Sequence, residues 1–312
     1  SLLLTAALAL ASAARARAAS ETLYDNDTNG MVPGPRATDR NYTYGMHTNW
    51  WGEPDVMPDW VERVAERLGG AGYDAHRRLS FEAGQELYTP DSLSDRNPIH
   101  NDRPYAAWLY AGAILTNTDL RHQRSLDVRL GMVGPDAQGE EIQTWWHRYE
   151  HIRLPRGWRY QLSDEVGLRA SLDEHWRPFG FRRFVDLIPH ARVTAGNVLD
   201  EAAAGATFRI GLPLPDDFGL GAPGGPAAHP PGFGVETFAR AEGRAVAHDM
   251  FLDGNTFAPS LRVHHEPFLV EAQMGCAAHW RSVALRYTFS YTSQQFRERQ
   301  DYQEYGSIGL RF

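Results

Sequence analysis

Alternating polarity predicts an all-β chain, a 12-stranded antiparallel transmembrane β-barrel with a short extracellular loop helix. Three observations carry this. First, the chain ends on a strand of period two: Gly306, Ile308, Leu310 and Phe312 occupy one set of positions, and Tyr305, Ser307, Gly309 and Arg311 the other. Successive strand side chains point to opposite faces, so one face is apolar and one wet. A last strand finished by an aromatic is a mark of outer-membrane barrels, whose apolar face looks outward to lipid. Second, the same alternation recurs along the chain. Third, Ser1 to Ala14 is almost wholly Leu, Ala and Ser, the length of an export-signal apolar region and too short to span a bilayer. No run of eighteen apolar residues follows, which excludes a helical membrane protein.

Small-residue cleavage options lie at Ala14-Arg15-Ala16 and Ala16-Arg17-Ala18, so residues 1–20 are assigned to a signal peptide and 21–312 to one barrel domain. Weaker strand patterns at 22–27 and 42–51 come first. Segment 54–76 has helical spacing around Trp60, Val61, Val64 and Leu68, and strand parity puts it in a periplasmic turn. Segment 79–88 sets Leu79, Phe81, Ala83 and Leu87 against Ser80, Glu82, Gly84 and Glu86. A weaker strand at 105–117 precedes 125–133, where Leu126, Val128, Leu130 and Met132 oppose Asp127, Arg129 and Gly131. Segment 138–151, bracketed by Pro135 and Pro155, is helical in character and follows an upward strand, so it belongs to an extracellular loop. Segment 165–172 sets Val166, Leu168, Ala170 and Leu172 against Glu165, Gly167, Arg169 and Ser171. Weaker strands follow at 183–195, 204–213, 233–248 and 263–275, with a Gly/Pro-rich loop at 213–231. Segment 283–292 alternates clearly, with Val283, Leu285, Tyr287, Phe289 and Tyr291 on one side. With 304–312 the total is twelve, an even number as single-chain bacterial barrels require.

Composition agrees. Hydrophobic content of 42% suits strands that are each half apolar, and 12% aromatics suits interfacial girdles. A net charge of −8 argues against a nucleic-acid partner. All 31 basic residues are Arg, and the single Cys276 rules out an internal disulfide framework. Inward-facing Arg129, Arg169, Arg286 and Arg311 would fill a lumen rather than open it.

Three constellations bear chemistry. Gln143 and His147 share a helical face, as do His147 and His151, although Arg148 stands where a zinc-protease HExxH motif needs Glu. Asp25-Asn26-Asp27-Thr28-Asn29-Gly30 matches the first half of an EF-hand loop, but its twelfth position is Arg36 instead of the bidentate Glu. What remains is a cluster of hard oxygen donors at the outer end of the first strand, or a polar turn. Asp102-Arg103-Pro104-Tyr105-Ala106 reads as a loop-to-strand junction pinned by a charge pair. Parity puts all three on one rim.

These residues carry a resemblance. Asn26-Asp27, Asn41-Tyr42-Thr43-Tyr44-Gly45, Asp102 to Ala106, Gly134-Pro135-Asp136-Ala137-Gln138-Gly139 and Glu141-Ile142-Gln143 on to His147 resemble, in order, the outer-membrane lipid A 3′-O-deacylase family (LpxR). The likeness runs from about residue 22 to 160. It implies a twelve-stranded, calcium-dependent monomer in the bacterial outer membrane. The implied reaction removes an ester-linked acyl chain from the lipid A of lipopolysaccharide in the outer leaflet. By position, Asn26, Asp27, Thr43, Gln143 and His147 match the family's active-site residues; His147, Gln143 and Thr43 are expected to be catalytic, and Asn26 and Asp27 to hold Ca2+. The family's basic residue in the second outer loop has no Lys counterpart here; Arg96 and Arg103 are the candidates. An outer-membrane phospholipase-type esterase and a non-enzymatic porin or adhesin are the alternatives.

Overall fold

Each strand pairs with its sequence neighbours, and the last closes on the first. The computed structural model describes residues 19–27, 40–69, 75–178, 184–219, 232–299 and 302–312. Among these the strands are β1 (Ala19–Asn26), β2 (Asn41–Trp51), β3 (His76–Thr89), β4 (Ala106–Thr118), β5 (His122–Val133) and β6 (Glu165–Trp176). They continue as β7 (Val185–Gly196), β8 (Leu199–Leu212), β9 (Phe233–Asp249), β10 (Phe268–Trp280), β11 (Val283–Thr292) and β12 (Gln303–Arg311). The closed order is antiparallel throughout, and β1 meets β12 from Glu21↔Arg311 to Asn26↔Gly306. Closure leaves no unpaired edge, which a bilayer demands.

The predicted twelve strands are all present. β10 runs five residues later than the 263–275 expectation, because Val263 belongs to a loop cluster with Leu252 and Phe296. β1 begins at Ala19, two residues inside the segment assigned to the signal peptide; the rest of that segment lies outside the described residues. Most of the 213–231 loop does also.

The apolar sets face out. Val128, Leu130, Val166, Leu168, Leu285, Ile308 and Phe312 are exposed, while Asp127, Ser171, Thr288 and Ser307 are buried. Inside, arginines and carboxylates interlock. Arg192 reaches Glu201 at 3.0 Å and Glu242 at 2.9 Å, Arg244 reaches Glu201 at 2.7 Å, Arg286 reaches Glu21 at 2.6 Å, and Arg129 pairs with Glu82 and Asp127. Partnered in this way, the charges tolerate their desolvation. A cavity of about 470 Å³ remains among them.

Both mouths are narrowed. Below, Phe218 and Asp217 of the β8–β9 loop enter the bore, with Asp217 on Arg209 at 2.5 Å. Above, the short helix α3 (Met250–Asp253) brings Met250 and Phe251 against Trp108, Tyr110 and Val133. Asp253 ties that loop down by accepting from His265 at 2.7 Å and pairing with His248 at 3.2 Å. Burial alone would raise its pKa, but His248, the Asp249 N–H and His265 pull it down to about 2.

Two helices decorate the wall. Helix α1 (Asp59–Leu68) lies in the β2–β3 turn at the periplasmic end, within the predicted 54–76 segment. Helix α2 (Gly139–Tyr149) lies in the β5–β6 loop at the outer end, within the predicted 138–151 segment.

Candidate active site

The site is built on the outer face of the wall, not in the lumen. Paired residues share a face, so the exposed Met46 fixes the direction of its neighbours. By this register Asn26 of β1 pairs with Tyr44 of β2, Tyr44 with Leu87 of β3, and Leu87 with Ala107 of β4, all pointing outward at the extracellular end. A bulge between Tyr42 and Tyr44 turns Thr43 to this face, where its hydroxyl meets that of Thr89 at 2.6 Å.

Over this patch sits α2, and the Gly134–Gly139 block sets its approach. Gly134 adopts φ 102, conformational space that only glycine enters easily, and Pro135 opens a 3₁₀ turn over Pro135–Ala137. Ala137 is fully buried, and its carbonyl accepts from Gln85 Nε2 at 2.6 Å. Gly139 then allows contact with the wall: a Cβ there would lie 2.5 Å from Ala107 Cβ and 2.6 Å from the Trp158 ring. Gly139→Val is therefore expected to lift the helix. Overpacking costs about 1–3 kcal/mol, so trypsin should cut after the exposed Arg148 and Arg153 at least about five-fold faster, while the heat-modifiable barrel band stays. Unchanged cleavage would refute this packing.

Once seated, α2 buries Gln143 and His147 one turn apart on one face. His147 is 2% exposed, with Nδ1 2.5 Å from the Arg153 carbonyl oxygen. A carbonyl only accepts, so Nδ1 carries the proton, and the neutral ring has its basic lone pair on Nε2. Gln143 Oε1 accepts from Trp158 Nε1 at 2.7 Å, which orients the amide. Its Nε2 is buried and, among the described residues, has no hydrogen-bond partner. Trp158 in turn packs with Leu87, Tyr105, Ala107 and Ala137, and Tyr44 leans on the same cluster.

All five predicted site residues therefore belong to the outer end of the barrel. Asn26 and Thr43 stand on the outward face of β1 and β2, Gln143 and His147 on the helix that packs over β4 through Ala107, and Asp27 follows Asn26, its Oδ2 accepting from the Arg40 N–H at 2.8 Å. Other sequence candidates fall elsewhere. Asp25 points into the lumen, where Tyr42 donates to it at 2.7 Å and His47 stands 3.3 Å away, so the EF-hand-like order is broken by the strand's own alternation. Residues 28–30 lie outside the described residues. His151 is past the helix end with φ 58, so the His147/His151 helical pair does not form. Asp102 is the pinned junction, held by Arg299 at 2.9 Å. Arg103 is buried in the mouth with its guanidinium 4.7 Å over Tyr88, whereas Arg96 is exposed and its carbonyl accepts from Arg159.

Sequence reasoning missed Trp158, Arg153, Gln85 and Thr89. Their roles come from contacts across 6 to 52 residues and leave no local signal.

The family model described as "Outer membrane protein LpxR" matches residues 1–312. The chain belongs to the LpxR family. It is thus an outer membrane protein, in keeping with its barrel. Among solved structures, LpxR from Salmonella typhimurium is similar with a TM-score of 0.76 at 22% identity, over 94% of this chain and 99% of that one. The β domain of the Bordetella autotransporter BrkA matches at a TM-score of 0.46 and 12% identity, over 95% of this chain and 98% of that one. No curated protein matches. Within the LpxR fold, this chain's outer-wall patch is where its buried His and Gln converge.

Proposed function

We propose that this chain is a lipid A 3′-O-deacylase that hydrolyses an ester-linked acyl chain of lipopolysaccharide from the outer leaflet. The observation that carries the reading is His147, on the buried face of α2 at the outer side of the wall, with Nδ1 committed to the Arg153 carbonyl. A site facing lipid meets acyl chains directly, which a lumen site would not.

His147 Nε2 takes a proton from water as that water attacks the acyl carbonyl, and returns it to the sugar oxygen as the ester C–O bond breaks, leaving a sugar hydroxyl and a free carboxylic acid. General-base catalysis of this kind is worth about 10²–10⁴-fold. The Gln143 Nε2–H group supplies a donor for the water or for the developing oxyanion. Thr43, fixed by Thr89, positions the substrate beside it. Asn26 and Asp27 would hold calcium: both are oxygen donors, the type a hard cation takes, and substrate or water would complete its shell. Bound there, calcium supplies positive charge for a carbonyl oxygen. The exposed rings of Trp145, Trp146 and Tyr149, with centroids 5.9–6.2 Å apart, give α2 an apolar flank suited to acyl chains. One chain provides every group, so a monomer suffices.

The porin alternative is disfavoured by the ion-paired lumen and narrowed mouths. Incubating the purified protein with lipid A should remove one ester-linked acyl chain in mass spectra, with calcium and not with chelator. Intact lipid A under both conditions overturns the hydrolase; cleavage in chelator overturns only the calcium assignment.

A further inference from the structure

At the opposite end of the barrel, α1 lies across the outside of three strands. Its position is fixed by two neighbouring rows of outward side chains. The row nearer the periplasm is polar: Arg77, Asn117 and Arg124 stand side by side in the β3–β4–β5 register. Two residues farther up the wall, about 7 Å, the row is apolar: Leu79, Leu115 and Leu126.

The helix is stitched to the polar row. Asn117 Nδ2 donates to the carbonyls of Ala65 at 2.7 Å and Gly69 at 3.1 Å, and Arg124 Nη1 donates to Leu68 O at 2.7 Å. Arg77 faces Glu62 at 3.5 Å and Glu66 at 3.9 Å. Val61 and Ala65 are buried and pack with Leu115, with Leu79 leaning on the same cluster. The axis therefore runs sideways across the strands, at the boundary where the wall changes from polar to apolar.

That geometry decides which flank looks where. At about 100° per residue, Glu62 and Glu66 lie within roughly 40° of each other on one side of the Val61/Ala65 stripe, and Trp60 and Val64 on the other. Arg77 holds the glutamate flank toward the periplasm, so the Trp60/Val64 flank is turned up the wall. Trp60 is nevertheless 64% exposed and Val64 36%. Above the Leu126 row the outward wall of β5 and β6 continues as bare apolar side chains, Val128 at 40% and Leu172 at 44%. An exposed Trp on that side is costly in water and favourable at the level of lipid headgroups.

We infer that α1 is an interfacial anchor: its Trp60/Val64 flank inserts into the periplasmic leaflet, and phospholipid acyl chains cover it. The occupant follows from continuity, since the flank extends the lipid-facing belt of β3 to β6 sideways. The glutamate flank stays in water, as in other helices that lie in the membrane plane. The anchor is independent of the catalytic reading at the far rim.

Nitroxide labels on the intact chain test this in vesicles of phosphatidylethanolamine and phosphatidylglycerol. The native Cys276, exposed on the lipid-facing side of β10, serves as the lipid reference. Trp60→Cys, Val64→Cys and Glu62→Cys are each made in a Cys276→Ser background. Labels at 60 and 64 should collide with oxygen several-fold more than with a water-soluble nickel complex, as the label at 276 does, while the label at 62 shows the reverse. If 60 and 64 are as open to nickel as 62, the anchor is overturned. Two positions on the flank keep the test decisive should one variant fail to fold, as read from its heat-modifiable gel mobility.

Discussion

Replacing His147 should lower lipid A deacylation by about 10²–10⁴-fold, the range expected for loss of a general base, without unfolding the barrel. The barrel is held by hydrogen bonds between neighbouring strands, to which α2 contributes none, so activity and fold separate. The Ala variant alone has a weakness, because His147 also anchors the Arg153 carbonyl. His147→Asn answers it: the amide N–H restores a donor to that carbonyl but offers no basic nitrogen. Both variants should be inactive by mass spectrometry of lipid A, with α2 retained in Asn. A His147→Asn protein that deacylates at the native rate would remove the base assignment altogether.

The second large effect is expected at Trp158, which touches no proposed substrate. It is 1% exposed, packs with its ring tilted against Tyr105 at 5.0 Å, receives Gly139 against its ring and donates to Gln143. Trp158→Ala removes that packing at a cost of about 3–5 kcal/mol. Since α2 is a loop helix, the cost falls on local opening rather than on the whole barrel. Amide exchange over residues 139–149 should accelerate by two orders of magnitude or more, at about 1.4 kcal/mol per decade, with strand amides unaffected. Trp158→Phe separates the two contributions. It keeps most of the contact area but leaves Gln143 Oε1 buried without its donor, for about 1–3 kcal/mol. Native exchange rates in the Ala variant would mean that α2 is held by something other than this cluster.

How much of this was legible in the sequence follows from where the two-residue period survives. The middle of each strand is bathed in lipid on one side and arginine–carboxylate pairs on the other, so polarity alternates and the strand can be read. Toward the periplasm the outward row Arg77, Asn117, Arg124 and Glu174 is polar, because α1 covers part of it, and there segments 79–88 and 125–133 stop short of the true strand ends. At β10 the buried loop residue Val263 mimicked a strand position and shifted the reading.

For the site, parity was enough to put Asn26, Thr43 and His147 on one rim. It was not enough to put them on the outer wall. That depends on the bulge at Tyr42/Tyr44 and on Gly139 allowing α2 to lie against Ala107, both of which are matters of contact. Likewise Gln143 could be paired with His147 by helical spacing, yet its partner is Trp158, and the imidazole is oriented by Arg153 instead.

The crowded interior has a consequence for the cell that carries this protein. Because its bore is packed with opposed charges and narrowed at both ends, each additional copy is expected to add little to the membrane's leakiness. Abundance is then set free from the permeability cost that limits hollow cylinders of the same size.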